Sequence, residues 1–268
     1  MESVSCFVIN LSKDHLKKSQ MIKITNENDI NPIFIDAIYG ADLKSDEISD
    51  SYSEKLTKKN IGRALTKGEI GCALSHLSIY KRMIEEQLEI ALILEDDISF
   101  NFNYVKLTSL IKKMPPDWEC ILLGHHSGLS RDEEGSASFW GRKSANKFLD
   151  IVRFSERVAG GYGYLINQKG AKKRLKEYQV IGKPTDYWED KSINLYGISP
   201  PIINIANEYK VGSLLDRERS NENSESYTQK LKSKLKKTLS NIGFISLINF
   251  FNSIKKFLLK IKPLKPYY

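Results

Sequence analysis

Ala91–Ile98 reads ALILEDDI, an apolar run that stops abruptly in three consecutive acids. Ile90, Ala91, Leu92, Ile93 and Leu94 have the continuous apolar character of a strand covered on both faces. Glu95, Asp96 and Asp97 then fall at its carboxyl end, where open α/β sheets place their ligand crevices. Three like charges there need solvent or a cation to offset them. Strand alternation sends Glu95 and Asp97 to one side and Asp96 to the other. Two hard oxygen donors with open positions beside them suit Mg²⁺ or Mn²⁺ held together with a diphosphate. A solvated acidic turn after a core strand fits the triplet equally well.

The 268 residues are 41% hydrophobic, enough to bury one substantial core. The formal charge of +8 is unevenly spread. From Gln229 to Tyr268 there are ten lysines and no acid, which leaves the remaining 228 residues at −2. The basic balance belongs to the tail, and the body offers no nucleic-acid surface. Cys6, Cys72 and Cys120 are odd in number and lie in apolar surroundings. That pattern predicts reduced core thiols in a cytosolic protein, with no metal-type cysteine spacing. Met1–Asn10 lacks a basic leader region and carries Glu2, so no signal peptide is expected.

Outward from the acidic triplet, Val4–Leu11 (VSCFVINL) predicts a first strand, with a basic helix after it. No Gly-rich loop follows, so a nucleotide here is held through base and ribose. Lys17 and Lys18 read as a solvated helix face. Ile33–Ile38 predicts a second strand, and residues 43–62 predict a polar loop over a site. Thr66–Glu69 (TKGE) is a capping box ahead of a helical apolar pattern at Ile70, Leu74, Leu77 and Ile84. Small residues in that helix, Gly68, Gly71, Ala73 and Ser75, permit close approach of a backbone or a ligand. His76 on it reads as a core histidine bonded to the sheet or as a polar contact to substrate. A helix near 103–114, a strand at 118–124 and a second long loop at 127–146 complete the middle of the chain.

Ala159–Asn167 (AGGYGYLIN) combines turn-permitting glycines with two tyrosines. Gly161, Tyr162 and Tyr164 could pack against a sugar ring, or form a bulge with structural tyrosines. Gln168–Tyr178 predicts a basic helix. Lys183–Asp190 (KPTDYWED) then sets three acids beside an aromatic wall, and Asp186 is a candidate general base.

With GEIGCALSHLSIY, ALILEDDI, GGYGYLIN and KPTDYW in one order, the sequence resembles glycosyltransferase family 25, the bacterial lipooligosaccharide glycosyltransferases that include β-1,4-galactosyltransferases. The resemblance implies an α/β fold of GT-A-like type. That is a single Rossmann-type nucleotide-sugar-binding domain with a mixed sheet over residues 1–228, followed by a basic amphipathic helical tail over 229–268. It also implies a UDP-sugar donor, Mn²⁺ or Mg²⁺, and a lipid-linked oligosaccharide acceptor. By position, Glu95 and Asp97 match the metal and nucleotide-sugar pair. Asn10, Leu11, Gly68, Glu69, Ser75, His76, Glu95 and Asp96 fall on the donor side. Asp186 matches the Asp of a P-x-D segment, with Glu189 and Asp190 as substitutes for it.

In the tail, lysines alternate with apolar residues at helical spacing, as in segments that lie in an anionic headgroup layer. The expected location is therefore cytoplasmic, peripheral on the inner face of the membrane. Two other classes stay open at this point. One is a phosphoacceptor receiver domain, whose acidic pocket LILEDD resembles, although receivers carry it on their first strand. The other is an inactive membrane-attached binding module.

Overall fold

The computed structural model describes residues 4–127, 134–188 and 192–209. The first half of the chain runs β1 (Val4–Asn10), α1 (His15–Glu27) and β2 (Pro32–Asp36). A single 3₁₀ turn at Gly40–Asp42 leads into α2 (Ser45–Ser51), α3 (Glu54–Ile61) and α4 (Lys67–Glu85). Then come β3 (Ile90–Glu95), β4 (Ile98–Phe100), α5 (Tyr104–Ile111), β5 (Cys120–Leu122) and β6 (His126–Ser127). The second half adds β7 (Ala137–Asn146), β8 (Leu149–Phe154), β9 (Val158–Ala159), β10 (Gly163–Asn167) and α6 (Gln168–Glu177). It closes with β11 (Tyr187–Trp188), β12 (Leu195–Ser199) and β13 (Ile203–Ile205).

Eight strands form one mixed sheet in the order β2-β1-β3-β10-β5-β12-β8-β7. β1 is parallel to both β2 and β3, and β10 runs antiparallel between β3 and β5. The mixed α/β architecture expected from the sequence is thus the one observed. β3 sits inside the sheet, and its side chains alternate between two cores. Ala91 and Ile93 join Phe7, Ile70, Ala73 and Tyr80 beneath α4 and α6. Leu92 and Leu94 join Val8, Met21 and Leu107 beneath α1 and α5. Glu95 continues the alternation on the α4 side.

α4 begins as its sequence predicts. Thr66 Oγ1 accepts from the Glu69 backbone N–H at 3.1 Å, and Glu69 Oε2 accepts from Thr66 N–H at 2.9 Å. The small residues behind the cap let a backbone approach. A methyl added to Gly71 would lie 2.4 Å from Ile38 O, and one added to Gly40 would lie 2.1 Å from Lys67 O. Two expectations need correcting. Residues 43–62 fold as α2 and α3 and not as a loop; both helices are too short to display a period, yet Ile48, Tyr52 and Ile61 still pack on the core. Residues 137–146 form β7, the sheet's outer strand, whose Arg142, Lys143 and Ser144 mimic a loop because an edge strand tolerates polar residues.

Candidate active site

The acidic triplet leaves β3 at the point where the sheet turns from parallel to antiparallel pairing. Two backbone bonds hold it: Glu95 N–H donates to Tyr162 O at 3.0 Å, and Ala206 N–H donates to Asp97 O at 2.8 Å. β3 ends at Glu95, and Asp96 and Asp97 sit in the turn that follows it. Asp96 turns toward α1, where Oδ2 accepts from Asn10 Nδ2 at 2.8 Å and Oδ1 pairs with Lys17 Nζ at 2.9 Å. Its charge and that of Lys17 satisfy each other, so Lys17 is a partner of the triplet and not a solvated face. Burial raises the Asp96 pKa, and Lys17 acts against that rise. Asn10, itself buried, ties the end of β1 to the same carboxylate and also donates to Asp14 O at 3.2 Å. Leu11 follows it, half-buried, at the strand exit.

Asp97 feels the Lys17 charge too, but without an ion pair to it among the described residues. Its Oδ1 is closed off from solvent and has no hydrogen-bond partner among the described residues. Burial, and then the charge of Glu95, push its pKa up to about 7. A buried carboxyl whose ionisation the neighbouring Glu95 charge opposes, with one oxygen lacking a partner among the described residues, fits a hard divalent cation such as Mg²⁺ or Mn²⁺.

Gly161 sets the width of the site. A methyl placed on it would lie 3.3 Å from Glu95 Oε1 and 3.3 Å from Asp186 Cβ, so the glycine stands between Glu95 and a fourth acid, Asp186. Gly160, at φ +137°, takes the bend that only glycine makes without strain. Its N–H donates to Asp186 O at 3.1 Å, and its carbonyl accepts from Trp188 Nε1 at 2.9 Å. Beneath this loop Arg174, 1% exposed, lies between the rings of Trp188 and Tyr178 at 4.3 and 4.4 Å. It donates to Thr185 O at 2.6 Å and pairs with Glu177 at 2.9 Å. Asp186 therefore stands on a rigid base. Glu189 and Asp190, its expected substitutes, lie outside the described residues, as does the 229–268 tail.

Several expected contacts are instead occupied in the fold. Glu69 is 3% exposed and holds a bidentate pair with Arg63 at 2.6 and 2.7 Å. Ser75 accepts from Ile38 N–H and donates to Gly71 O, both at 2.8 Å. Gly68 N stands against Gly40, where an added methyl would come within 2.5 Å. These three residues seat α4 against the exit of β2, with Glu69 and Ser75 buried and Gly68 half-buried. Tyr164, expected to face an acceptor sugar, is 0% exposed because β10 runs through the middle of the sheet. Tyr162 is 9% exposed, with its ring stacked at 6.4 Å on His126. His125 is a core residue that donates through Nε2 to Ile198 O at 2.9 Å and accepts Gly135 N–H at Nδ1. His76 stays at the site: it is buried under Glu95, with Nε2 3.6 Å from Glu95 Oε1.

Sequence reading missed Cys72 and Arg174. Cys72 stands one helical turn before His76, a spacing that places both on one face, but only the fold reveals Glu95 opposite them. Arg174 was legible only as one more charge on a basic helix.

A mixed α/β sheet with carboxylates gathered at its switch point defines a class of cation-compatible active sites. Comparison supplies the family: the model of "Glycosyltransferase family 25 (LPS biosynthesis protein)" matches residues 4–188, and the chain belongs to that family. Procollagen galactosyltransferase 2 of Mus musculus is 29% identical over 174 residues, covering 62% of this chain and 26% of that protein. Inactive glycosyltransferase 25 family member 3 of Homo sapiens is 29% identical over 169 residues, covering 60% and 28%. The chain thus spans about a quarter of the length of the curated relatives it matches. A crystal structure of a glycosyltransferase involved in glycosylation of the major capsid of PBCV-1 aligns over 65% of this chain and 64% of that one. The identity is 9% and the TM-score 0.33, too distant to carry an argument.

Proposed function

We propose that this chain transfers a hexose, with galactose the first candidate, from a UDP-sugar to a lipooligosaccharide or related surface glycan, in a metal-dependent reaction that inverts the anomeric carbon. Membership in family 25 supports the reaction class. The observation that carries the reading is Glu95 standing across Gly161 from Asp186, with Oδ1 of the neighbouring Asp97 buried and without a hydrogen-bond partner among the described residues. Asp97, assisted by Glu95, would hold Mn²⁺ or Mg²⁺, which when bound supplies Lewis-acid neutralisation of the departing diphosphate.

The rest of the chemistry falls to the chain itself. Asp186 accepts the proton of an acceptor hydroxyl as its oxygen attacks C1. The bond from C1 to the phosphate oxygen breaks, and UDP leaves with the electron pair. A single displacement from the opposite side inverts the centre. Gly161 keeps the narrow gap between the acids free of a side chain, and the Tyr162 edge borders the acceptor side. Asn10 and Lys17 hold Asp96 away from the pair, so the cation-binding carboxylates are two and not three.

Because relatives named as galactosyltransferases and as inactive both resemble this chain, turnover is the deciding measurement. A screen of UDP-sugars with Mn²⁺ present should release UDP in an acceptor-dependent manner, most rapidly with one hexose. No release from any UDP-sugar, or release that Asp97→Asn leaves unchanged, overturns the reading and favours a binding module. We propose further that the lysine-rich tail holds the enzyme on the cytoplasmic face of the membrane beside a lipid-linked acceptor. Its charge pattern supports this, and among the described residues no helix is long and apolar enough to cross a membrane.

A further inference from the structure

Cys72 and His76 project from the same face of α4 toward the end of β3. The Cys72 sulfur, a His76 ring nitrogen and a Glu95 carboxylate oxygen all lie within 4.8 Å of one another. His76 is 1% exposed, and its two nitrogens differ in their surroundings. Nδ1 shares a 2.7 Å hydrogen bond with Tyr164 Oη, which in turn shares one of 2.6 Å with Tyr80 Oη. Nε2 is shut from solvent and has no hydrogen-bond partner among the described residues. At 3.6 Å from Glu95 Oε1 it is beyond hydrogen-bond reach. An imidazole anchored through one nitrogen and bare at the other is how metal-ligating histidines are held.

We propose that Cys72 Sγ, His76 Nε2 and the Glu95 carboxylate form a second cation site, selective for a thiophilic divalent ion, Zn²⁺ first. The ion's occupation takes Glu95 from Asp97 and inhibits transfer. Zinc takes sulfur, nitrogen and oxygen ligands at about 2.0–2.3 Å in tetrahedral geometry, which spaces the donors roughly 3–4 Å apart. The 3.6 Å separation of nitrogen and oxygen already meets that spacing. Glu95 is half-exposed, so the fourth position and the path of entry open on the cleft. Mg²⁺ and Mn²⁺ prefer oxygen donors, whereas a thiolate and an imidazole favour zinc. Two sites that sort ions by softness thus share one carboxylate. The zinc site stands on its own geometry, while inhibition rests on the transferase reading.

The test titrates the full chain with Co²⁺ as a spectroscopic stand-in for zinc. The expected result is a near-ultraviolet sulfur-to-cobalt charge-transfer band that saturates at one equivalent and is displaced by Zn²⁺. Cys72→Ser should remove the band. Glu95→Gln should keep it but weaken cobalt binding by at least the roughly tenfold that loss of even an outer partner of a metal site costs, and this second variant holds the test open if the first fails to fold. Cys6 and Cys120 are buried with thiols raised by desolvation, so a band that survives in Cys72→Ser, or no band at all, overturns the site. In the transfer assay, micromolar Zn²⁺ added over saturating Mn²⁺ should inhibit the native chain, and Cys72→Ser should need at least about ten times more. A cobalt band without any transfer activity upholds the site and removes the transferase reading. Transfer without a band does the reverse.

Discussion

In the proposed reaction Asp97 and Asp186 divide the chemistry, and each can be tested alone. If Asp186 is the base, Asp186→Asn keeps the shape of the site but cannot take a proton. The kcat should fall on the order of 10²–10⁴-fold with donor KM little changed, measured as UDP release. Asp97 makes a different prediction, about pH. Its pKa rises from 3.8 to about 7 in the folded protein, so between those values the folded state binds more protons than the unfolded one. Stability of the metal-free protein therefore falls as pH rises through that window and is fully reduced above it. His125, whose pKa is lowered by burial, has the opposite slope, because it resists protonation as pH drops. The measurement is accordingly a difference: melting temperatures in chelator from pH 5 to pH 8 for the native chain and for Asp97→Asn. The variant should gain relative to the native chain as pH rises, and parallel curves would refute the assignment.

Arg174 shows what an element contributes when its chemistry is elsewhere. α6 presents a buried guanidinium to Thr185 O, Glu177, Trp188 and Tyr178, and through them fixes the loop that carries Asp186. Arg174→Ala leaves a cavity and takes from Glu177 its buried guanidinium, leaving Lys183 and Ser192, and should cost about 3–5 kcal/mol in denaturant unfolding. The contrast with α4 explains what the sequence could and could not convey. Thr66 and Glu69 announce α4 because a cap is a local contact, three residues apart. β3 was legible because burial on both faces leaves an unbroken apolar run. α2 and α3 were not, since seven or eight residues give too few turns for a stripe, and β7 was not, since an edge strand carries polar residues. The acids at the site were legible one at a time. That Gly161 stands between Glu95 and Asp186, or that Glu95 faces Cys72 and His76, depends on β10 inserting beside β3, which no local pattern encodes.

The chain as a whole has two electrostatic parts. Residues 1–228 sum to −2, so an anionic bilayer gains nothing from attracting them, whereas the last forty carry ten lysines and no acid. If each lysine near such a surface contributes about 1 kcal/mol, a few of them together produce measurable binding without a spanning segment. That attraction decays within a Debye length, about 10 Å at 0.1 M salt and about 3 Å at 1 M. The protein should then co-sediment with vesicles containing anionic lipid at low salt, release progressively as salt rises, and ignore vesicles of neutral lipid. A chain ending at Tyr227 should stay in solution under every condition. Retention at high salt would assign the binding to the apolar residues of the tail, Phe250, Phe251, Phe257 and Leu258 among them, and equal partition of the long and short chains would remove the tail from the account altogether.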